Sequence, residues 1–516
     1  MSSTMTRSPG LARSEPRRTP AAVTDVLAAQ NAALAPSPAR DAHIAALRAG
    51  AAAVVTGQQV GLFLGPLFTI YKAASAVRVA AALAERTGEP VVPVFWLQTE
   101  DHDLPEIASV ALPGPDAPRR IAVAASPDDR VSLAHLTLPD EVERCLAELA
   151  DELAGHSHAA AHVERLSRHY RPGARWAAAF AGVLAELFAD EGLVMLDARD
   201  PALGELVAPV HRRAIVDAEA IAGVMVAKAG ELRAAGAAVP VHVRPGAPLA
   251  FFHPDGAAGP RYRLEPAARG ERPEQDRFAE VGGSGVHTRA ELLAALDRDP
   301  LRFSTSALMR PIVQDTLLPT AAYVGGPAEV AYFAQVEPLY RHFDLPAPQV
   351  VARARFRIVD GASRRRCERL GIAADDAVLP EDKLLARCRR DGDARLDAAE
   401  FERRLMESFD GAARELAPAA AAAGPQVVKR MERTRAGVAH AVQKLAGAYE
   451  RALLHNDQEL VEAVAHVRTF LQPEGAPQER IYGLPYFAAR FGDRHIVERV
   501  IAAVEPFDPA LRDLHP

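Results

Sequence analysis

The chain reads as an α/β protein with a parallel-sheet core and a helical last third, and three observations carry that reading. AAAVVTG (51–57) is a short apolar run closed by glycine, as in a strand buried on both faces. A helix-period stretch from about Leu67 to Arg86 separates it from a second apolar run, VVPVFWL (91–97), and strand–helix–strand calls for a right-handed crossover in one parallel sheet. Beyond Pro425, apolar residues recur at spacings of three and four, the pattern of a long helix with a buried seam.

Taken in order, residues 1–20 (MSSTMTRSPGLARSEPRRTP) are rich in Arg, Ser and Pro and are expected to be a disordered tail. Residues 21–50 read as alanine-rich helix, and with the strand–helix–strand unit they form the first part of the core, 21–115. Alanine- and leucine-rich sequence predicts a helical insertion over 116–190. LVMLDA (193–198) is a further core strand, in a core segment of 191–235. Turn-rich VPVHVRPGAPLAFFHPDGAAGPRYRLE marks a β-containing insertion over 236–300, and the core returns at 301–375, where LLPTAAYVGGP ends a strand on a Gly-Gly-Pro turn. Residues 376–516 are expected to be a mostly helical coiled-coil and C-terminal region. Val428, Met431, Arg435, Val438, Val442, Leu445, Tyr449 and Ala452 form the seam of a coiled coil or a long helical hairpin.

At 516 residues the length points to several structural units. A net charge of −7 argues against a sequence-independent nucleic-acid binder, though it leaves room for a local basic pocket. Cys145, Cys367 and Cys388 stand too far apart for a zinc motif or disulfide framework, which predicts a reducing, cytoplasmic setting. No apolar run reaches the ~18–20 residues that span a bilayer, so no membrane partner is expected.

Three segments can carry chemistry. In TGQQVGLFLGPLFTIYK (56–72), Gly57, Gly61 and Gly65 allow close backbone approach and Pro66 suits a first helical turn. Free N–H groups there predict an anion site, with Thr56, Gln58 and Gln59 as neutral donors; Lys72 can point back or outward. The plain alternative is a loop that merely turns. After the second strand come Glu100, Asp101, His102, Asp103 and Glu106. His102 beside carboxylates suits a general base, its negative neighbours favouring the protonated form; a divalent metal and a solvated helix cap are the other readings. In RPIVQDTLLPTAAYVGGPAEVAYF (310–333), Gly325, Gly326 and Pro327 repeat the strand-to-helix turn. Arg310 and Gln314 lie upstream, Arg310 offering a fork for a carboxylate or phosphate, or a surface ion pair. PQERIYGLPYFAARFG (477–492) reads first as packing of the C-terminal helices onto the core.

These segments together resemble the bacillithiol biosynthesis cysteine-adding enzyme family: VVTGQQVGLFLGPLFTIYKA, PVFWLQTEDHDLPEI, RPIVQDTLLPTAAYVGGPAEVAYF and the closing QERIYGLPYFAARFG stand in the family's order. The resemblance implies a Rossmann-like core with two connecting-peptide insertions and a coiled-coil region that pairs two protomers. It implies a ligase that adds L-cysteine to the amine of glucosaminyl-malate, with an adenine nucleotide (ATP or ADP) as the suspected cofactor. Carried over by position, Thr56, Gly57, Gln58, Gln59, Gly65 and Pro66 frame the cleft floor. Glu100, Asp101, His102 and Asp103 lie at the rim, and Arg310, Gln314, Gly325 and Gly326 stand opposite. Amide formation at neutral pH needs an activated carboxyl, so His102 or Asp103 is expected to take the amine proton and Arg310 to offset substrate charge. Two rivals are a nucleotidyl or aminoacyl transferase, weakened by the absence of an HxGH signature, and a non-catalytic dimeric ligand-binding protein. All the readings require the turns at 57–66 and 325–327 and the acidic run after Trp96 to open onto one hollow.

Overall fold

A computed structural model describes residues 17–124, 130–388, 396–455 and 458–516. Its centre is a five-stranded, all-parallel sheet of β1 (Ala52–Gln58), β2 (Val91–Leu97), β3 (Val194–Asp197), β4 (Thr320–Gly325) and β5 (Gln349–Ala352), in spatial order β5-β4-β1-β2-β3. The apolar runs predicted as strands become β1, β2 and β3 to within a residue or two. Gln58 sits level with Leu97, and Leu97 with Asp197, so the carboxyl ends share one edge. The chain proceeds from β1 to β2 on one side and later enters β4 on the other, which makes the β1/β4 junction the switch point where open α/β sheets bind ligands.

Both sheet faces are covered, as continuous hydrophobic strands require. Phe95 and Leu97 pack with Ile70, Tyr71 and Phe180 from the helices Phe68–Thr87 and Trp176–Leu187. Trp96, Val55 and Tyr323 pack with Ile312 and Val336 from the helices Arg310–Leu317 and Pro327–His342.

The sequence expectations need several corrections. The helix expected over 21–50 is two, Ala21–Ala32 and Pro38–Ala49, because Ser37 caps a new start with Pro38 at its first turn. Of the expected tail, 1–16 lie outside the described residues, while Arg17 donates to the carbonyls of Asp315 and Thr316 and Thr19 is buried. The β insertion is an antiparallel sheet of Phe303–Thr305, Ala250–Phe252, Tyr262–Ala268, Arg277–Glu280 and Val286–Thr288 in that spatial order. It therefore takes a strand from beyond the boundary expected at 300. The mostly helical last segment closes on a short strand, Leu511–Leu514, paired in parallel with Arg355–Ile358.

Part of the predicted seam folds back on its own chain, while Val428 and Leu445 of it stay exposed. Helices Ala398–Ala423 and Pro425–His455 form an antiparallel hairpin in which Phe401 stacks on Tyr449, centroids 4.4 Å apart. Arg435, out of place in an apolar seam, reaches Asp410 on the other helix through two bonds of 2.7 and 2.8 Å. The three cysteines are free and buried, and no helix among the described residues is long and apolar enough to cross a membrane.

Candidate functional site

A cleft of about 270 Å³ opens at the β1/β4 switch point. From β1 and the residue after it come Gly57, Gln58 and Gln59; from the turn after β2 come Gln98, Asp101 and Glu106; opposite stand Arg310, Gly326, Glu329 and Tyr332. The three segments picked out in the sequence thus share one hollow, although not every residue named in them reaches it.

Gly57 is required by close packing: a Cβ there would lie 3.0 Å from the Trp96 carbonyl and 3.2 Å from the Trp96 Cβ. Its carbonyl and the Gln58 Oε1 accept from Lys72 Nζ at 2.8 and 2.9 Å, and the same ammonium pairs with Glu329 Oε2 at 2.5 Å. Lys72 therefore points back into the cleft, only 4% exposed. Burial, offset in part by Glu329, lowers its pKa. Burial alone would raise the Glu329 carboxyl, but Lys72, the Tyr323 hydroxyl (2.6 Å) and the Gly326 N–H (2.7 Å) hold it below the usual carboxylate range.

Gln59 gathers the acidic side, its Nε2 donating to Asp101 Oδ2 at 2.8 Å and to Glu106 Oε2 at 2.9 Å. Across the hollow Arg310 is buried, donating to Gln314 Oε1 at 2.8 Å and to the Tyr332 hydroxyl at 2.7 Å, with its guanidinium over the Tyr323 ring. Arg353, directly after β5, also lines the cleft and holds Glu479 through two 2.8 Å bonds. One wall thus carries Asp101 and Glu106, and the other carries Arg310 beside two internal ion pairs, Lys72–Glu329 and Arg353–Glu479.

Other expected residues serve elsewhere. Thr56 is fully buried and donates to the Val324 carbonyl at 2.8 Å, tying β1 to β4. Gly65 and Pro66 do not line the cleft: Pro66 bridges to Gly483, and the Leu67 N–H donates to the Tyr482 carbonyl at 2.8 Å. The N–H groups of Gly61, Leu64 and Gly65 form no anion cradle, because each is occupied. The Gly61 N–H serves the Gln59 carbonyl, the Leu64 N–H serves the Gly61 carbonyl and the Tyr170 hydroxyl, and the Gly65 N–H serves the Leu62 carbonyl. The Gly61–Gly65 spacing is explained by contact of the loop with itself, since a Cβ on Gly61 would fall 2.9 Å from the Gly65 Cα. The second glycine turn is likewise occupied: the Gly326 N–H goes to Glu329, and Gly325 leaves no room for a Cβ beside Tyr323 and Glu329. Gln314 is buried behind Arg310 and donates to Asp315 at 2.8 Å.

The acidic run divides. Asp101 faces the cleft. Glu100 turns away, accepting from the Thr305 hydroxyl and from its N–H at 3.3 Å, and so braces the inserted sheet. Asp103 is exposed and caps the short helix Leu104–Ile107, its Oδ1 accepting from the Glu106 N–H at 3.3 Å. The solvated-cap reading thus describes Asp103. Among the described residues, no group of three His, Cys, Asp or Glu is placed to hold a metal.

The expectation for His102 is overturned in sign. Burial and the Arg261 guanidinium lower its pKa, outweighing Asp101 and Asp103. Arg261 Nε donates to His102 Nδ1 at 2.8 Å while its Nη2 pairs with Asp101 at 3.0 Å. An arginine only donates, so Nδ1 keeps its lone pair and the neutral ring carries its proton on Nε2. In this arrangement His102 is a donor, not a base, and it does not line the cleft.

Comparison with known proteins decides the family. Residues 8–354 match the model described as the bacillithiol biosynthesis BshC N-terminal Rossmann-like domain, and residues 356–511 match the BshC C-terminal coiled-coil domain. The chain belongs to the bacillithiol biosynthesis BshC family. Among similar proteins, the "Putative cysteine ligase BshC" of Koribacter versatilis (strain Ellin345) is 35% identical over 478 residues, 91% of this chain and 85% of that protein. The protein of the same name from Salinibacter ruber (strain DSM 13855 / M31) is 32% identical over 456 residues, 87% of this chain and 80% of that one. The parallel sheet at the centre is the Rossmann-like domain, and the hairpin of Ala398–Ala423 and Pro425–His455 lies in the coiled-coil domain.

Proposed function

We propose that this chain is a ligase that joins the carboxyl of L-cysteine to the amine of glucosaminyl-malate, in bacillithiol biosynthesis. The observation that carries the reading is that Asp101 and Glu106, held by Gln59, face Arg310 across the cleft, where Arg310 forms no ion pair among the described residues while Lys72 and Arg353 are paired with Glu329 and Glu479. Such a hollow suits an amine on one side and substrate carboxylates on the other.

Amide formation makes a C–N bond, breaks the bond from the acyl carbon to its leaving group, and releases one proton from the attacking amine. Asp101 and Glu106 are the carboxylates positioned to accept that proton. His102 is not, because its free nitrogen carries hydrogen. Arg310, oriented by Gln314 and Tyr332, lies where a substrate carboxylate is held with little loss of side-chain freedom. An adenine nucleotide would supply the leaving group on the cysteine carboxyl. The N–H groups of Gly61, Gly65 and Gly326 do not fit its phosphates, since they are spent within the protein.

The hairpin leaves Leu416 and Leu445 exposed, 59% and 51%, together with Val427 and Val428. A second copy of the chain is the occupant we assign to that surface, giving a homodimer.

The deciding assay follows product mass on incubating the purified protein with glucosaminyl-malate, cysteine and ATP. Cysteinyl-glucosaminyl-malate is expected from the wild type and not from Asp101→Asn/Glu106→Gln. No product from a folded wild-type protein, or full turnover by that variant, overturns the reading.

A further inference from the structure

Arg261 stands directly before the strand Tyr262–Ala268 of the inserted antiparallel sheet and does not line the cleft, yet it bonds the Asp101 carboxylate that does. Its side chain is 6% exposed. Burial lowers its pKa, and Asp101 is the one carboxylate paired with it among the described residues. A charge in that position is costly to keep unless its geometry is well held.

The guanidinium is held on several sides. Its Cζ lies 4.1 Å from the centroid of the Phe251 ring, and its Nη1 reaches the Ser304 hydroxyl at 3.5 Å. Its Nε and Nη2 form a fork, with one bond to His102 Nδ1 at 2.8 Å and one to Asp101 Oδ1 at 3.0 Å. A planar fork so placed loses little freedom in holding its partner.

A carboxylate oxygen accepts about two hydrogen bonds. Asp101 Oδ1 has both, from Arg261 and from the His102 N–H at 2.8 Å. Oδ2 takes one, from Gln59 at 2.8 Å, and keeps a lone pair for the cleft. The backbone behind is tied too, the Asp101 carbonyl accepting from the Leu133 N–H at 2.8 Å.

We propose that Arg261 is a positioning residue of the ligase reaction, filling Oδ1 of Asp101 so that Oδ2 is the oxygen turned to the substrate amine. The proposal rests on the ligase reading. Through this residue the inserted sheet sets the orientation of a group at the edge of the parallel sheet.

Steady-state turnover of the full chain with glucosaminyl-malate, cysteine and ATP tests it. Arg261→Ala is expected to lower kcat by about tenfold to a hundredfold, with KM for glucosaminyl-malate within about threefold, since the residue orients a group and holds no substrate. Free guanidinium ion is expected to restore part of that kcat, and urea, of similar shape without the charge, to restore none. Circular dichroism checks folding. Arg261→Lys, which keeps the charge without the fork, is the second variant and is expected to lose kcat likewise. Arg302→Ala loosens the same sheet at the His253 and Pro254 carbonyls without touching Asp101, and is expected to keep wild-type kcat. The proposal alone is overturned by an Arg261→Ala kcat within about threefold of wild type, a loss carried by KM only, an equal loss in Arg302→Ala, or no rescue by guanidinium. No product from the wild type overturns both the proposal and the ligase reading.

Discussion

Replacing Lys72 by Met keeps an unbranched side chain, one atom shorter, and removes the ammonium from between Gly57, Gln58 and Glu329. Glu329 would then keep the Tyr323 hydroxyl and the Gly326 N–H but lose its counter-charge, and the Gly57 carbonyl would lose its side-chain donor. Breaking a buried pair by removing one partner costs about 3–5 kcal/mol. Lys72 is 5% exposed by side chain but Glu329 is 21% exposed, so water reaches the stranded carboxylate and the cost falls at the lower end, about 3 kcal/mol. The assay is urea unfolding at pH 7, with the shift in midpoint read at unchanged slope. Glu329→Gln and the double variant complete a thermodynamic cycle with an expected coupling of about 1–3 kcal/mol. A loss below about 1 kcal/mol for Lys72→Met, or additivity within about 0.5 kcal/mol, would refute the buried pair as the element that holds the cleft's two sides together.

Other consequences are open to measurement. Nitrogen NMR of His102 should show a midpoint below its ordinary value with the proton on Nε2, and Arg261→Leu should move the midpoint up; an unchanged midpoint would contradict the role given to Arg261. Asp315, fully buried with bonds from Tyr340 and Gln314, has its carboxyl pushed up to about 6 by burial. The folded state then binds a proton the unfolded chain releases near pH 4, so stability should fall by about 3 kcal/mol between pH 4 and 6 relative to Asp315→Asn; parallel pH profiles would exclude it. Glu479→Gln should cost about 3–5 kcal/mol, since it strands Arg353, and a loss under 1 kcal/mol in urea unfolding would count against that buried pair. Leu416→Asp/Leu445→Asp should halve the mass seen in sedimentation if the hairpin joins two copies; an unchanged mass would place the contact elsewhere.

The sheet was legible because its strands are buried on both faces and so read as unbroken apolar runs ending in Gly57 and Gly325. The convergence of three segments was legible because all three directly follow strands of one parallel sheet, whose carboxyl ends must lie together. Charge pairing was not. Nothing local to His102 announces Arg261, which comes 159 residues later from the inserted sheet and reverses the effect of the neighbouring acids. Arg353 was missed for a similar reason, although it follows a strand end and that position alone was a signal. The glycine loop misled because small residues permit either ligand approach or close self-contact, and only the partners of its N–H groups tell the two apart.

The Tyr482–Gly483 segment, which fastens Pro66 and Leu67, bears on how the protein is made. The Leu67 N–H and the Gly65–Pro66 turn find their partners only in residues synthesised more than four hundred positions later, and Glu479 likewise reaches back to Arg353. On a ribosome the early strands can pair as they emerge, but the wall between β1 and the Phe68 helix stays without its backing until the closing helices are released. A nascent chain stalled before residue 478 could already stack Phe63 on Tyr170 but would leave the Gly65–Leu67 turn without Tyr482 and Gly483, making late synthesis the stage at which this protein most depends on chaperone cover.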